Sequence, residues 1–190
     1  VAGILHEKGC DLAGTGEMGI GNTTTSSAVA AVLLGKPVED MTGRGAGLTS
    51  EGLVRKINAI KKAIALNNPD RSDAIDVLAK VGGLDIAGMA GVFIGGAALG
   101  MPVVMDGFIS CVSALIAIKI CPQVSDHITL TSFNIYDSEV GFTIDIQRAC
   151  STSDPEGAWQ GSDHPRRHVP GRGNRSCGTV SYDGPVLCSI

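Results

Sequence analysis

Aromatic side chains are scarce, 4% of 190 residues, with a single tryptophan. Buried volume must therefore come from Ala, Val, Leu and Ile, which suit tightly packed helices on a parallel sheet. A basic excess is also missing. The formal net charge is -4, so nothing argues for a nucleic-acid partner, whose phosphate backbone calls for cations. No cationic, apolar, small-residue segment opens the chain, so no secretory signal is read and a cytoplasmic location is expected. Residues 88–105 form an uncharged run of eighteen, formally long enough for a membrane. Gly91, Gly95, Gly96, Gly100 and Pro102 interrupt it. It reads as a buried helix, a turn and a buried strand, and no membrane partner is expected. The six cysteines lack metal-like spacing. Reduced thiols and neither metal nor cofactor are the expectation.

Glycine is plentiful, 26 residues, and one stretch concentrates it: Gly14-Thr-Gly-Glu-Met-Gly-Ile-Gly-Asn-Thr-Thr-Thr25. A short apolar lead-in precedes this stretch, and a helical run over 26–34 follows. Strand, glycine loop and helix in that order put backbone N–H groups and hydroxyls at a helix N-terminus, where the dipole favours an anion. Gly43, Gly45 and Gly47 form a second glycine loop, followed by a helix that Thr49 or Ser50 can cap. Leu53, Ile57, Ile60 and Ile64 give that helix an apolar stripe. A shorter helix over 72–80, with Ile75, Leu78 and Ala79 inward, stops at Gly82-Gly83. Asp85 is expected to cap the Gly/Ala-rich helix 86–99, which can approach neighbouring backbone closely. Val103 to Met105 reads as a buried strand ending at Asp106, and 108–120 as a helix with Val112, Leu115, Ile116 and Ile120 inward. A polar group at such a strand end lies where open α/β sheets bind ligands. Residues 1–10 look like the end of a preceding helix, so more chain is expected before Val1.

Several residues carry two readings. Gly14, Gly16 and Gly19 match a dinucleotide fingerprint, with Glu39 or Asp40 about twenty residues on. A further glycine and an Asn-Thr-Thr-Thr run are unusual after such a turn. Glu17 is either a carboxylate stabilised by the helix dipole or one that orients a sugar hydroxyl or pairs with Lys56. Lys56 is either a solvated helix residue or the cation of the site. Asp106 is a turn residue or a ligand contact. His164 and His168 have helical metal spacing, but Pro165 and their Ser/Gly/Pro-rich setting favour chance.

Three segments together resemble nicotinate-nucleotide–dimethylbenzimidazole phosphoribosyltransferases: Gly16-Glu-Met-Gly-Ile-Gly-Asn-Thr-Thr24, Val77-Leu-Ala-Lys-Val-Gly-Gly-Leu-Asp-Ile-Ala-Gly-Met-Ala-Gly91 and Met101-Pro-Val-Val-Met-Asp-Gly-Phe108. Lys56-Ile-Asn58 fits the family's lysine position. The resemblance covers about residues 1–121. It implies transfer of phosphoribose from nicotinate mononucleotide to 5,6-dimethylbenzimidazole, in assembly of the cobalamin lower ligand, by a homodimer. It further implies that Glu17 and Lys56 contact the ribose-phosphate end. Met18, Gly19, Gly21, Asn22, Thr23, Thr24 and Gly45 would complete the substrate site, with Asp85 and Asp106 as further candidates. The expected fold is three-layer α/β, a parallel sheet with the glycine loops at strand C-terminal ends. Other readings are a phosphate- or nucleotide-binding module without catalysis and a dinucleotide-dependent oxidoreductase.

The family's catalytic glutamate stands in a C-terminal Leu-Gly-Glu-Gly-(Ser/Thr)-Gly-Ala motif, which this sequence lacks, so no catalytic residue is assigned in this frame. Residues 1–133 are expected to form a partial large domain, and 134–190 a poorly structured tail unlike the family. Codons allowed for positions 170–181, read one base downstream, can spell Leu-Gly-Glu-Gly-Thr-Gly-Ala-Val-Ala-Leu-Ser. The tail is therefore expected to be an out-of-frame translation beginning after about Pro122.

Overall fold

The computed structural model describes residues 1–45, 47–130 and 187–189. In chain order these build α1 (Ala2–Glu7), β1 (Leu12–Gly14), α2 (Thr23–Leu34), α3 (Ser50–Asn67), α4 (Ala74–Val81), α5 (Leu84–Ala98), β2 (Val103–Met105) and α6 (Phe108–Ile120). A 3-10 turn (Pro122–His127) leads into β3 (Ile128–Leu130), and β4 (Leu187–Ser189) completes the described elements. The fold is helix-rich with a small, wholly parallel sheet in the order β3-β2-β1-β4. Ala13 stands opposite Val103 on one side and Cys188 on the other. The glycine loop thus leaves the sheet beside the end of β2.

Composition dictates how the core is filled. From Ile109 to Ala117 every residue of α6 is buried, as expected of a helix that is apolar on nearly all sides. The buried face of α2 is made of Ser26, Ser27, Val29 and small alanines, with Leu33 near its end. Helix α5 uses glycine to come close. A Cβ on Gly96 would stand 2.4 Å from Val103 Cγ2, and one on Gly95 2.9 Å from Ala2 Cβ. Residues 88–105 are the end of a helix, a turn and a strand, and no helix among the described residues is long and apolar enough to cross a membrane.

Several boundaries differ from expectation. Helix α2 starts at Thr23 rather than 26: Thr25 Oγ1 donates to the Asn22 carbonyl at 2.9 Å, and Ser27 Oγ to that of Thr23 at 2.8 Å. These bonds satisfy hydroxyls that would otherwise compete with the helical backbone. In α4 the inward residues are Ala74, Val77 and Val81, while Ile75 is exposed and so is Ala79. Asp73 sets this rotation by capping the helix, accepting from the N–H groups of Ile75 and Asp76. Ile120 lies at the exposed end of α6. Helix α5 is capped by the extended Gly83, and Asp85 lies inside its first turn.

The second glycine loop does not follow a strand. Residues 36–44, between α2 and that loop, hold only turns and irregular backbone, so just one of the two loops continues a strand. The expectation of reduced thiols fails at Cys10, which is disulfide-bonded, whereas Cys111 and Cys121 are not in disulfides. The tail expectation, its reading frame and His164 and His168 lie outside the described residues, apart from β4, which adds a strand beside β1.

Candidate functional site

The two central strands set the site. Strands β1 and β2 run parallel, so Gly14 and Met105 end at the same edge of the sheet. The first loop turns there through Gly19 (φ 76°) and Gly21 (φ 85°), left-handed conformations that glycine adopts without strain. Gly16 faces Asp106: a Cβ on the glycine would lie 3.7 Å from the carboxylate Oδ2. Glu17 is exposed, and its carboxylate accepts from the amide of Gly19, closing the loop on itself. Met18 and Ile20, 82% and 75% exposed, project from the same loop.

Asn22 occupies the N-cap position of α2, yet its side chain makes no capping bond. Its amide instead donates to Asp85 Oδ2 at 2.5 Å, tying the first turn of α2 to that of α5. The N-cap side chain is thereby drawn away from the first N–H groups of α2, the end where the dipole favours an anion. Asn22 Oδ1 and Ser26 Oγ are buried without a hydrogen-bond partner.

The second loop comes to this edge from the side. Its turns use Gly45 (φ 55°) and Gly47 (φ 101°). A Cβ on Gly45 would stand 3.2 Å from Thr23 Oγ1 and 3.7 Å from Lys56 Nζ. Lys56 reaches back from α3, 8% exposed, and its ammonium donates to Thr23 Oγ1 and to the Gly43 carbonyl, both at 3.0 Å. The solvated-helix reading of Lys56 is thus overturned. The Glu17 carboxylate bonds to Gly19 within its own loop, while Lys56 joins the two loops. Arg44 fastens the second loop to the start of α3 through Leu48 O and Ser50 Oγ. Thr49 caps that helix by accepting from Gly52 N–H.

The remaining sequence candidates separate clearly. Gly19, Gly21, Asn22, Thr23, Gly45 and Lys56 come together around the start of α2, with Asp85 attached through Asn22 and Asp106 across from Gly16. Thr24 lies one residue along α2, on the wall of a cavity of about 320 Å³ shared with Ala28, Ile60, Ala63 and Val81. Glu39, the acid a dinucleotide reading would send to a ribose, is bonded to Lys61 of α3 instead. That hydrogen bond holds its carboxyl below the usual range. Sequence reasoning missed Thr15 and Ser110, buried hydroxyls in contact with each other between β1 and α6. The available signal was weak: Ser110 and Ser113 are the two hydroxyls in an otherwise apolar stretch of α6. Among the described residues no group of three His, Cys, Asp or Glu is placed to hold a metal ion.

A parallel sheet, a glycine loop at a strand end and a buried lysine ammonium beside a helix N-terminus define an α/β protein whose polar and charged groups gather at one sheet edge. The chain belongs to the phosphoribosyltransferase family, whose model matches residues 1–134. It is 59% identical over 128 residues to the nicotinate-nucleotide–dimethylbenzimidazole phosphoribosyltransferase of Ruminiclostridium cellulolyticum, covering 67% of this chain and 36% of that protein. The same enzyme of Clostridium acetobutylicum is 60% identical over 124 residues, 65% of this chain and 35% of that protein. Among solved structures, CobT from Thermus thermophilus superposes with a TM-score of 0.64 at 40% identity, over 68% of this chain and 38% of that one. The chain thus spans about a third of the length of the curated relatives it matches.

Proposed function

We propose that this chain is the phosphoribosyl-binding part of a nicotinate-nucleotide–dimethylbenzimidazole phosphoribosyltransferase. The whole enzyme, a cytoplasmic homodimer in this reading, transfers phosphoribose from nicotinate mononucleotide to 5,6-dimethylbenzimidazole. The products are α-ribazole 5′-phosphate, for the cobalamin lower ligand, and nicotinate. The observation that carries the reading is Lys56, a buried ammonium joining Thr23 of the first loop's helix to Gly43 of the second loop.

The chemistry asks for such an arrangement. When nicotinate leaves, the anomeric carbon acquires oxocarbenium character, and a fixed phosphate and ribose keep that carbon in line with the incoming base. Backbone N–H groups at the start of α2 and the Lys56 ammonium supply a positive field for the phosphate without a metal. Glu17 and Asp106 are carboxylates at the first loop and suit ribose hydroxyls. Exposed Met18 offers apolar surface to a flat base. The carboxylate that takes the benzimidazole proton belongs to the motif absent from this sequence. The chain therefore binds the phosphoribosyl donor and does not turn it over.

That absence equally favours the second reading, a phosphate-binding module without catalysis. Calorimetry with nicotinate mononucleotide, ribose 5-phosphate and NADH decides. Saturable binding of the first two supports the donor site, and NADH as the sole ligand refutes it. An assay with dimethylbenzimidazole added should show no α-ribazole phosphate from this chain. Restoring the shifted frame in a full-length protein should yield it; a full-length protein that makes none leaves only the binding module.

A further inference from the structure

Two buried hydroxyls, Thr15 at the start of the first loop and Ser110 in α6, form a continuous chain of hydrogen bonds with the backbone of the site. Thr15 Oγ1 donates to the Val104 carbonyl at 2.9 Å and also contacts Ser110 Oγ. A threonine hydroxyl has one proton, and here it is committed to Val104. Ser110 must therefore donate to Thr15. Ser110 Oγ in turn accepts from the Asp106 N–H at 3.3 Å. The order is Asp106 N–H to Ser110, Ser110 to Thr15, and Thr15 to Val104 O. Both hydroxyls are buried, 4% exposed at Thr15 and 1% at Ser110, so water does not compete for these bonds.

This relay ties together the elements that must keep register at the site. Thr15 immediately precedes Gly16, Val104 lies in β2, and Asp106 is the first residue beyond β2. The Thr15 N–H also donates to Val104 O, at 3.1 Å, so one carbonyl holds both the backbone and the side chain of Thr15. We propose that Thr15 and Ser110 are positioning residues that set the Asp106 carboxylate against Gly16, where it accepts a hydrogen bond from a ribose hydroxyl of the bound phosphoribosyl group. The proposal rests on the phosphoribosyl reading above and deepens it. Phosphate is held by other groups, the start of α2 and Lys56, so the relay bears on the sugar and not on the phosphate.

The test compares ribose 5-phosphate, 2-deoxyribose 5-phosphate and inorganic phosphate as ligands of the full chain. The variants are Thr15→Val, Thr15→Ser and Ser110→Ala, each checked for folding by circular dichroism. Wild type should prefer ribose to deoxyribose phosphate by about tenfold, the discrimination expected from one hydrogen bond to a carboxylate. Thr15→Val and Ser110→Ala should reduce that preference to about twofold or less with inorganic phosphate unchanged, and Thr15→Ser should restore it. Equal weakening of all three ligands, or an unchanged sugar preference in both variants, overturns the relay while leaving the phosphoribosyl site standing. A wild-type chain that binds inorganic phosphate but neither sugar phosphate overturns the phosphoribosyl reading and the relay with it. If Thr15→Val fails to fold, Ser110→Ala together with Thr15→Ser gives the same decision.

Discussion

The two glycine-rich loops meet at the start of α2 but are held there by different means. The first leaves β1 and enters α2, so regular structure fixes both its ends, and Asn22 adds a side-chain tie to Asp85 of α5. The second follows irregular backbone and relies on side chains: Lys56 on Gly43, Arg44 on Leu48 and Ser50, and Lys61 on Glu39 just upstream. A loop between a strand and a helix is positioned by its neighbours. A loop without a strand is positioned by whatever long side chain reaches it. Substitutions at those side chains should therefore act on the second loop first.

Lys56→Met removes the ammonium between the loops and should have the largest effect. Affinity for nicotinate mononucleotide should fall about a hundredfold, the scale of losing charge-assisted hydrogen bonds to a phosphate. Calorimetry on the folded variant measures it, and a loss below about threefold would mean the loops do not share the ligand. Gly96→Ala probes glycine used for packing alone. Its Cβ would meet Val103 Cγ2 at 2.4 Å and Met101 O at 2.9 Å, so unfolding in urea should show a loss of about 1–3 kcal/mol. Ligand affinity of the folded variant should not change.

Gly45→Ala combines both demands. The residue has φ 55° and would press on Thr23, so a stability loss of about 1–2 kcal/mol is expected. Donor affinity should weaken several-fold as well. Gly16→Ala in the first loop meets Asp106 only at ordinary contact distance and should leave stability nearly unchanged. Glu39→Gln should have the smallest effect, seen only in the pH profile. Lys61 lowers the folded-state pKa of Glu39, so the stabilisation is present above the ordinary carboxylate range and lost as pH falls through the lowered value. The wild-type acid-unfolding curve should carry this small loss, and the variant should not.

Much of this division is legible in sequence. Gly100 to Pro102, Asp106-Gly107 and Cys121-Pro122 punctuate the chain strongly enough to bound β2 and α6 at the residues observed. The stripe from Leu53 to Ile64 identifies the inner face of α3, and Ile60 lies at its centre, 1% exposed. Threonine favours helices weakly, which places the threonines at the start of α2 in the loop. Tertiary contacts around Asn22 and Lys56 decide otherwise. Asp85 reads as a cap because acidic residues favour that position, but extended Gly83 takes the role and frees the carboxylate for Asn22. The fate of Lys56 depends on where the second loop lands, which no local pattern encodes, whereas Glu17 closes on Gly19 within its own loop. The relay through Thr15 and Ser110 joins residues 95 apart in sequence, beyond the reach of any spacing rule.

The joint site is tested most directly by titrating the isotope-labelled chain with nicotinate mononucleotide and following backbone amides by NMR. Amides of residues 19–24 and of 43–47 should shift along one binding curve with a single midpoint, and in Lys56→Met the second group should stop responding. Two separate midpoints in the wild-type chain, or a second loop that never responds, would contradict a single phosphoribosyl site built from both loops.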